Sequence, residues 1–183
     1  GGDTVIDDCG ECGGDGEDAD QDGICDDEDD CVGEDADEDG ICDDIDSCIG
    51  SGHSDWDPAN IGVLNNYNQF EFNGSVTSRV YIDGEDIGSA CDYVAAFVGD
   101  EQRGVAVASD VPGALGGGYA FLVMVYSNES AGEVLTFKYY SSSDDATYDL
   151  SESVEFTTNM VEGDVVNPFV LSISTSTDIE IAF

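Results

Sequence analysis

Residues 18 to 31 read DADQDGICDDEDDC, and with a period of 17 the chain repeats itself as DADEDGICDDIDSC at 35 to 48. Carboxylates this dense repel one another, so neither copy can be compact unless cations sit among them. Protein cations are not at hand. Residues 1 to 50 carry 22 acids and no Lys or Arg, whereas residues 51 to 183 carry the other 21 acids and all three bases, Arg79, Arg103 and Lys138. Burial offers no alternative. The large apolar side chains of the first segment are Val5, Ile6, Ile24, Val32, Ile41, Ile45 and Ile49, too few to hold a fold by themselves. Hard divalent cations, which prefer carboxylate oxygen, are the counter-charge this composition calls for. The formal net charge of −40 also argues against nucleic acid and against insertion into or adsorption on anionic membranes, since those partners are held by Lys and Arg.

Each copy places carboxylates at loop positions 1, 3 and 5, Gly at 6, a backbone carbonyl at 7 and further Asp at 9 and 12. In the first copy these are Asp18, Asp20, Asp22, Gly23, Ile24, Asp26 and Asp29; in the second they are Asp35, Asp37, Asp39, Gly40, Ile41, Asp43 and Asp46. Alternate side chains then converge on one ion, while the glycine permits the sharp turn that brings the carbonyl of Ile24 or Ile41 round to it. Two Ca²⁺ sites follow, and the surplus Asp27, Asp30 and Asp44 would help to hold one or two more. The spacing is that of an EF-hand loop, with two departures: position 12 is Asp rather than Glu, and a period of 17 leaves no room for flanking helices. A calcium switch needs a helix pair that opens, so this segment reads as a semi-rigid rod.

Six of the seven cysteines, Cys9, Cys12, Cys25, Cys31, Cys42 and Cys48, also lie in this segment. CGEC at 9 to 12 has the spacing of half a zinc site, but no second CxxC follows, so disulfides are the better reading. Disulfides imply an oxidising, extracytoplasmic location. With no signal-like apolar region and no long apolar span, the chain is expected to be a processed, secreted, soluble product.

The motif DxDxDGxCDxxDxC over residues 15 to 48 resembles the thrombospondin type 3 repeat, and less closely the dockerin loop. The resemblance implies an irregular chain wound around a row of calcium ions and stapled by disulfides. It suggests Cys31 with Cys42 and Cys12 with Cys25, leaving Cys9, Cys48 and the distant Cys91, of which one would be free or bridge to a neighbour.

After Ser51 the texture changes. SGHSDWDPAN at 51 to 60 opens a linker, 51–66, that carries the only His and the only Trp. Residues 67–183 then show runs of β-branched and aromatic residues between turn signals, at 69 to 84, 93 to 100, 103 to 109, 119 to 127, 133 to 141, 147 to 150, 153 to 157, 169 to 174 and 178 to 183. Eight or nine short strands without a convincing helix predict an antiparallel β-sandwich, immunoglobulin-like or jelly-roll, so the fold class is mostly β. YAFLVMVY, apolar on both faces, is expected at the centre. The stretch AAFVGDEQRG with the later FKYY and YDL resembles small β-sandwich modules of large secreted bacterial proteins, which implies a structural or adhesive role.

Catalysis finds little support. His53 has no nucleophile in a recognisable context beside it, and GALGGGY at 113 to 119 lacks the GK[ST] and the nearby base of a phosphate loop. Trp56, Tyr119, Tyr126, Tyr139, Tyr140 and Tyr148 are candidate stacking platforms for glycans, although tyrosines alternating along strands more often serve cross-strand packing; Asn73 and Asn128 head glycosylation sequons that read equally well as turn or strand-edge asparagines. The combination of repeats and sandwich resembles protomers of bacterial extracellular fibrils, implying a head-to-tail homopolymer that assembles by strand exchange. Residues 178 to 183, DIEIAF, with Ile179, Ile181 and Phe183 on one face, have two readings: the last strand of their own sandwich, or the donor strand added to a sheet edge of the next molecule. The alternative is an adhesin or carbohydrate-binding module of a larger protein.

Asp22→Ala and Asp39→Ala should each remove one Ca²⁺ from the calorimetric stoichiometry, while Asp145→Ala should leave it unchanged; fewer than two Ca²⁺ per intact chain would contradict the loop assignment.

Overall fold

The computed structural model describes residues 62 to 173 together with Glu17, Ala19, Cys25, Gly33, Trp56 and Asp57. The chain divides into two compact units, Gly1–Ser51 and Gly52–Phe183, and the described strands all belong to the second. They are β1 (Phe72–Ile82), β2 (Glu85–Asp86), β3 (Tyr93–Val98), β4 (Glu101–Val107), β5 (Ser109–Asp110), β6 (Tyr119–Ser127), β7 (Ala131–Ser141), β8 (Ala146–Thr157), β9 (Val161–Glu162) and β10 (Phe169–Ser172). Two short 3-10 turns, Tyr67–Gln69 and Gly113–Leu115, are the only helical elements among the described residues.

Two sheets result. In one, β1 is the spine: antiparallel to β6 and to the short β2, parallel to β9 and β10, with β5 on the far side of β6. The other runs β4-β3-β7-β8 and is antiparallel throughout. The sheets are antiparallel, as expected of the sandwich, apart from the parallel pairing of β9 and β10 with β1. Nearly the whole domain separates β1 from β9 and β10, so no hairpin dictates their relative direction.

Inward-facing side chains of both sheets share one core. Val76 and Val80 of β1 and Phe121, Val123 and Val125 of β6 meet Val94 and Ala96 of β3, Leu135, Phe137 and Tyr139 of β7, Leu150 and Phe156 of β8, and Leu171 of β10. Each of these larger apolar side chains contributes about 1.5–3 kcal/mol by leaving water. The strand of uninterrupted burial is β3, Tyr93 to Phe97, rather than β6. On β6 the outward Leu122 and Met124 are 50% and 42% exposed, so its apolar run covers only one buried face. The outer face of β3 is covered because Tyr93, Ala95, Phe97, Val105 and Tyr140 form a second cluster, on which Trp56 and Val107 pack. Trp56, Asp57 and Leu64, in the stretch read as a linker, therefore belong to the packed domain.

TYDL and SVEFT, read as two strands, form the single strand β8. Between Lys138↔Asp149 and Thr136↔Ser153 the register shifts, so Leu150, Ser151 and Glu152 together oppose Phe137. Two extra residues preserve the in–out alternation while bending the strand. At that bend Leu150 bridges Ile173, the Ser172 N–H donates to Glu152 Oε2 at 2.6 Å, and Ser151 Oγ donates to the Ser172 carbonyl at 3.2 Å. One corner between the sheets is closed there.

Candidate functional site

The twelve residues predicted to hold calcium, between Asp18 and Asp46, lie outside the described residues, as do His53 and residues 178 to 183. Within the β domain the functional candidates are the charged clusters, the aromatic side chains and the sheet edges.

Every Lys and Arg of the chain is engaged with a carboxylate. Arg103, on β4, is buried against the other corner of the two sheets. Its Nη1 and Nη2 donate to the two carboxylate oxygens of Glu133 at 2.8 Å each, and Nη1 also donates to the Tyr126 carbonyl at 3.2 Å. Glu101 adds a second carboxylate at 3.1 Å, and the guanidinium lies 5.1 Å from the centre of the Phe70 ring. The next residue, Gly104, lets β4 approach β6 directly, since a Cβ there would collide with the Met124 carbonyl. Arg103 and Gly104 therefore bring β4 against β6, where no ladder pairs them.

Arg79, also buried, donates from Nη1 to Asp86 Oδ2 at 2.9 Å and from Nη2 to the Gly117 carbonyl at 2.7 Å. The loop GALGGG was expected to have no base nearby; the fold brings Arg79 to it across the sheet. Gly116, Gly117 and Gly118 have φ of 113°, 68° and 71°, which only a run of glycines adopts without strain. The loop turns a carbonyl toward Arg79, so this cation is occupied by the protein itself and the arrangement is not a phosphate cradle.

Asp92 forms a third polar centre, invisible in the sequence. Fully buried, it accepts from Ser89 N–H at 2.7 Å and Tyr139 O–H at 2.5 Å on Oδ2, and from Ser142 N–H at 2.9 Å and Ser142 Oγ at 3.1 Å on Oδ1. Burial first, and then the hydrogen bond to Asp92, push the Tyr139 hydroxyl well above the ordinary tyrosine range. Asp92 thereby ties the turn before β3 to the β7–β8 hairpin, a structural duty that satisfies all its acceptors. The preceding Cys91 is disulfide-bonded, as is Cys25, so the odd thiol is neither of these.

Of the proposed stacking platforms, Tyr139 and Tyr140 are buried in the two clusters and Trp56 meets Phe97 edge-on at 5.8 Å. They are packing residues. Tyr119, Tyr126 and Tyr148 are half-buried, and Tyr126 is flanked by Tyr67 and Phe70 at 5.9 and 6.2 Å. Asn73 and Asn128 are exposed, although Asn128 Oδ1 accepts the Glu71 N–H at 3.0 Å. No three His, Cys, Asp or Glu converge into a metal cluster among the described residues, and no described helix is long and apolar enough to cross a membrane. The sheet edges are better defined. β8 is an outer strand, and beyond its bridge to Ile173 the stretch Ser153 to Thr157 has no second neighbour among the described residues.

Burial raises the Glu133 carboxyl, but hydrogen bonds from Arg103 and Ser127 and the Arg103 charge outweigh it and hold the group below its ordinary value of 4.5. The folded state therefore favours the ionised form. Its contribution to stability is complete above the ordinary value and is lost as the pH falls through the lower, folded one. Glu133→Gln should cost about 1.5–3 kcal/mol at neutral pH, read from urea midpoints, and this penalty should shrink in acid; a pH-independent penalty would contradict the assignment.

No protein-family model matches this chain, and no curated protein or solved structure is significantly similar to it.

Proposed function

We propose that this chain is a secreted, calcium-binding structural protein, a protomer of an extracellular fibre or surface assembly held by Ca²⁺ and β-strand exchange. Residues 1 to 50 form a calcium-bound, disulfide-stapled rod, and the β domain is the unit that polymerises. The duplicated ligand spacing at 18 to 29 and 35 to 46 supports the calcium reading, and it gains weight from the shortage of protein cations. Disulfides at Cys25 and Cys91 favour an oxidising compartment. No catalytic role is assigned.

The observation that carries the assembly reading is the register at which the chain leaves the sheet. Leu150 bridges Ile173 in the antiparallel sense, so only Ala146 to Asp149 of β8 lie ahead, against the ten residues 174 to 183 that follow. A strand continuing in that register would reach the end of β8 with the polar Ser174–Thr177, before DIEIAF begins. These last six residues then need another edge, and the Ser153–Thr157 edge of β8 in a second copy is one that strand addition can use. Donor and acceptor surfaces differ, so the contact is heterologous and propagates as a filament.

Negative-stain microscopy with Ca²⁺ should show filaments of the intact chain, and deletion of residues 178 to 183 or Ile181→Asp should leave folded, calcium-binding monomers. Filaments formed by the truncated chain, or an intact chain that stays monomeric at high concentration with Ca²⁺, would overturn strand exchange.

A further inference from the structure

Asp57 is only 2% exposed, and among the described residues it is the one buried carboxylate without a partner on both oxygens. Its Oδ2 accepts the Gly62 N–H, whereas Oδ1 has no donor. An ionised carboxylate buried this way is strongly unfavourable unless a positive charge lies against it. Protein cations cannot supply that charge from the described residues. Arg79 is held by Asp86 at 2.9 Å, Arg103 by Glu133 and Glu101 at 2.8 and 3.1 Å, and Lys138 by Asp149 at 2.7 Å, and no other Lys or Arg exists in the chain. For the ionised form, the counter-charge has to come from solution.

Gln102 Nε2 donates to the Trp56 carbonyl at 2.9 Å, so the Gln102 amide lies against the Trp56–Asp57 peptide. A carboxylate oxygen is a hard donor, which suits a hard cation. We propose that Asp57 is a ligand of a hard divalent cation, Ca²⁺ in an extracellular setting, at a site in the β domain separate from the acidic repeats. Oδ1 binds the ion, and amide or main-chain oxygens and water complete the shell. With a single carboxylate the affinity falls in the weak, roughly 0.1–1 mM range of extracellular modules. The ion would pin Trp56 against Phe97 and so keep the outer face of β3 covered.

Trp56, the sole tryptophan, adjoins Asp57 and makes the site directly observable, because indole excited at the red edge of its band transfers energy only to a lanthanide bound close by. The test uses the full chain carrying Asp22→Ala and Asp39→Ala, which lowers the signal from the repeats. Tb³⁺ should give indole-sensitised emission that Ca²⁺ displaces in the millimolar range, and adding the isosteric Asp57→Asn should reduce it roughly tenfold with the far-ultraviolet dichroism unchanged. Emission that survives Asp57→Asn overturns the proposal. Without the third substitution, the intrinsic Trp56 fluorescence of the same chain should also respond to Ca²⁺; no response up to about 10 mM, well above the weak extracellular range, overturns it as well. Calcium counted at the repeats by calorimetry of the intact chain is a separate readout, so either site can fail alone.

Discussion

Positive charge is the scarce component of this molecule. Against 43 acids the chain has three Lys or Arg residues, and all are fixed within the β domain. Two of them stand where the fold needs a connection its ladders do not provide. Arg103 helps to bring β4 against β6 through the Tyr126 carbonyl and Glu133, and Arg79 holds the Gly116–Gly118 loop to β1. Lys138, in an exposed pair with Asp149 across β7 and β8, contributes little. Neutralisation of residues 1 to 50 is left to ions from solution. The proposed calcium rod is the consequence of that arithmetic joined to a repeated ligand spacing.

The sandwich manages its edges in a related way. Sheet edges that would otherwise recruit foreign strands face each other at two corners, one held by Arg103 and Gly104 and the other by the bend at Leu150–Glu152. The bend sets where the chain leaves β10 and how much of β8 remains ahead of it. The proposed placement of an assembly strand thus rests on two extra residues in β8, a local register feature.

Much of the β domain was legible in sequence because strand signals are local. The nine runs of β-branched and aromatic residues gave β1, β3, β4, β6, β7 and β10 nearly in place, since Gly, Asp and Asn breaks bound them. What escaped was non-local. That β3 rather than β6 is buried on both faces depends on Trp56 arriving from upstream, and no periodicity within YVAAFV or YAFLVMVY records it. The join of TYDL and SVEFT needed a bulge whose only trace is Ser151-Glu152, polar residues that look like a break. Asp92 and Asp57 are two acids among many by sequence, and only burial distinguishes them. The proposed calcium loops are the opposite case: their candidate ligands are spaced within twelve residues, so spacing alone carries the reading.

The central claim, that solution calcium is a structural component of the acidic segment, is tested most directly by hydrogen exchange across residues 15 to 48 in Ca²⁺ and in NaCl of equal ionic strength. The account predicts slow exchange in Ca²⁺ alone, because specific coordination and not screening holds the segment. Equal exchange in the two salts would contradict it.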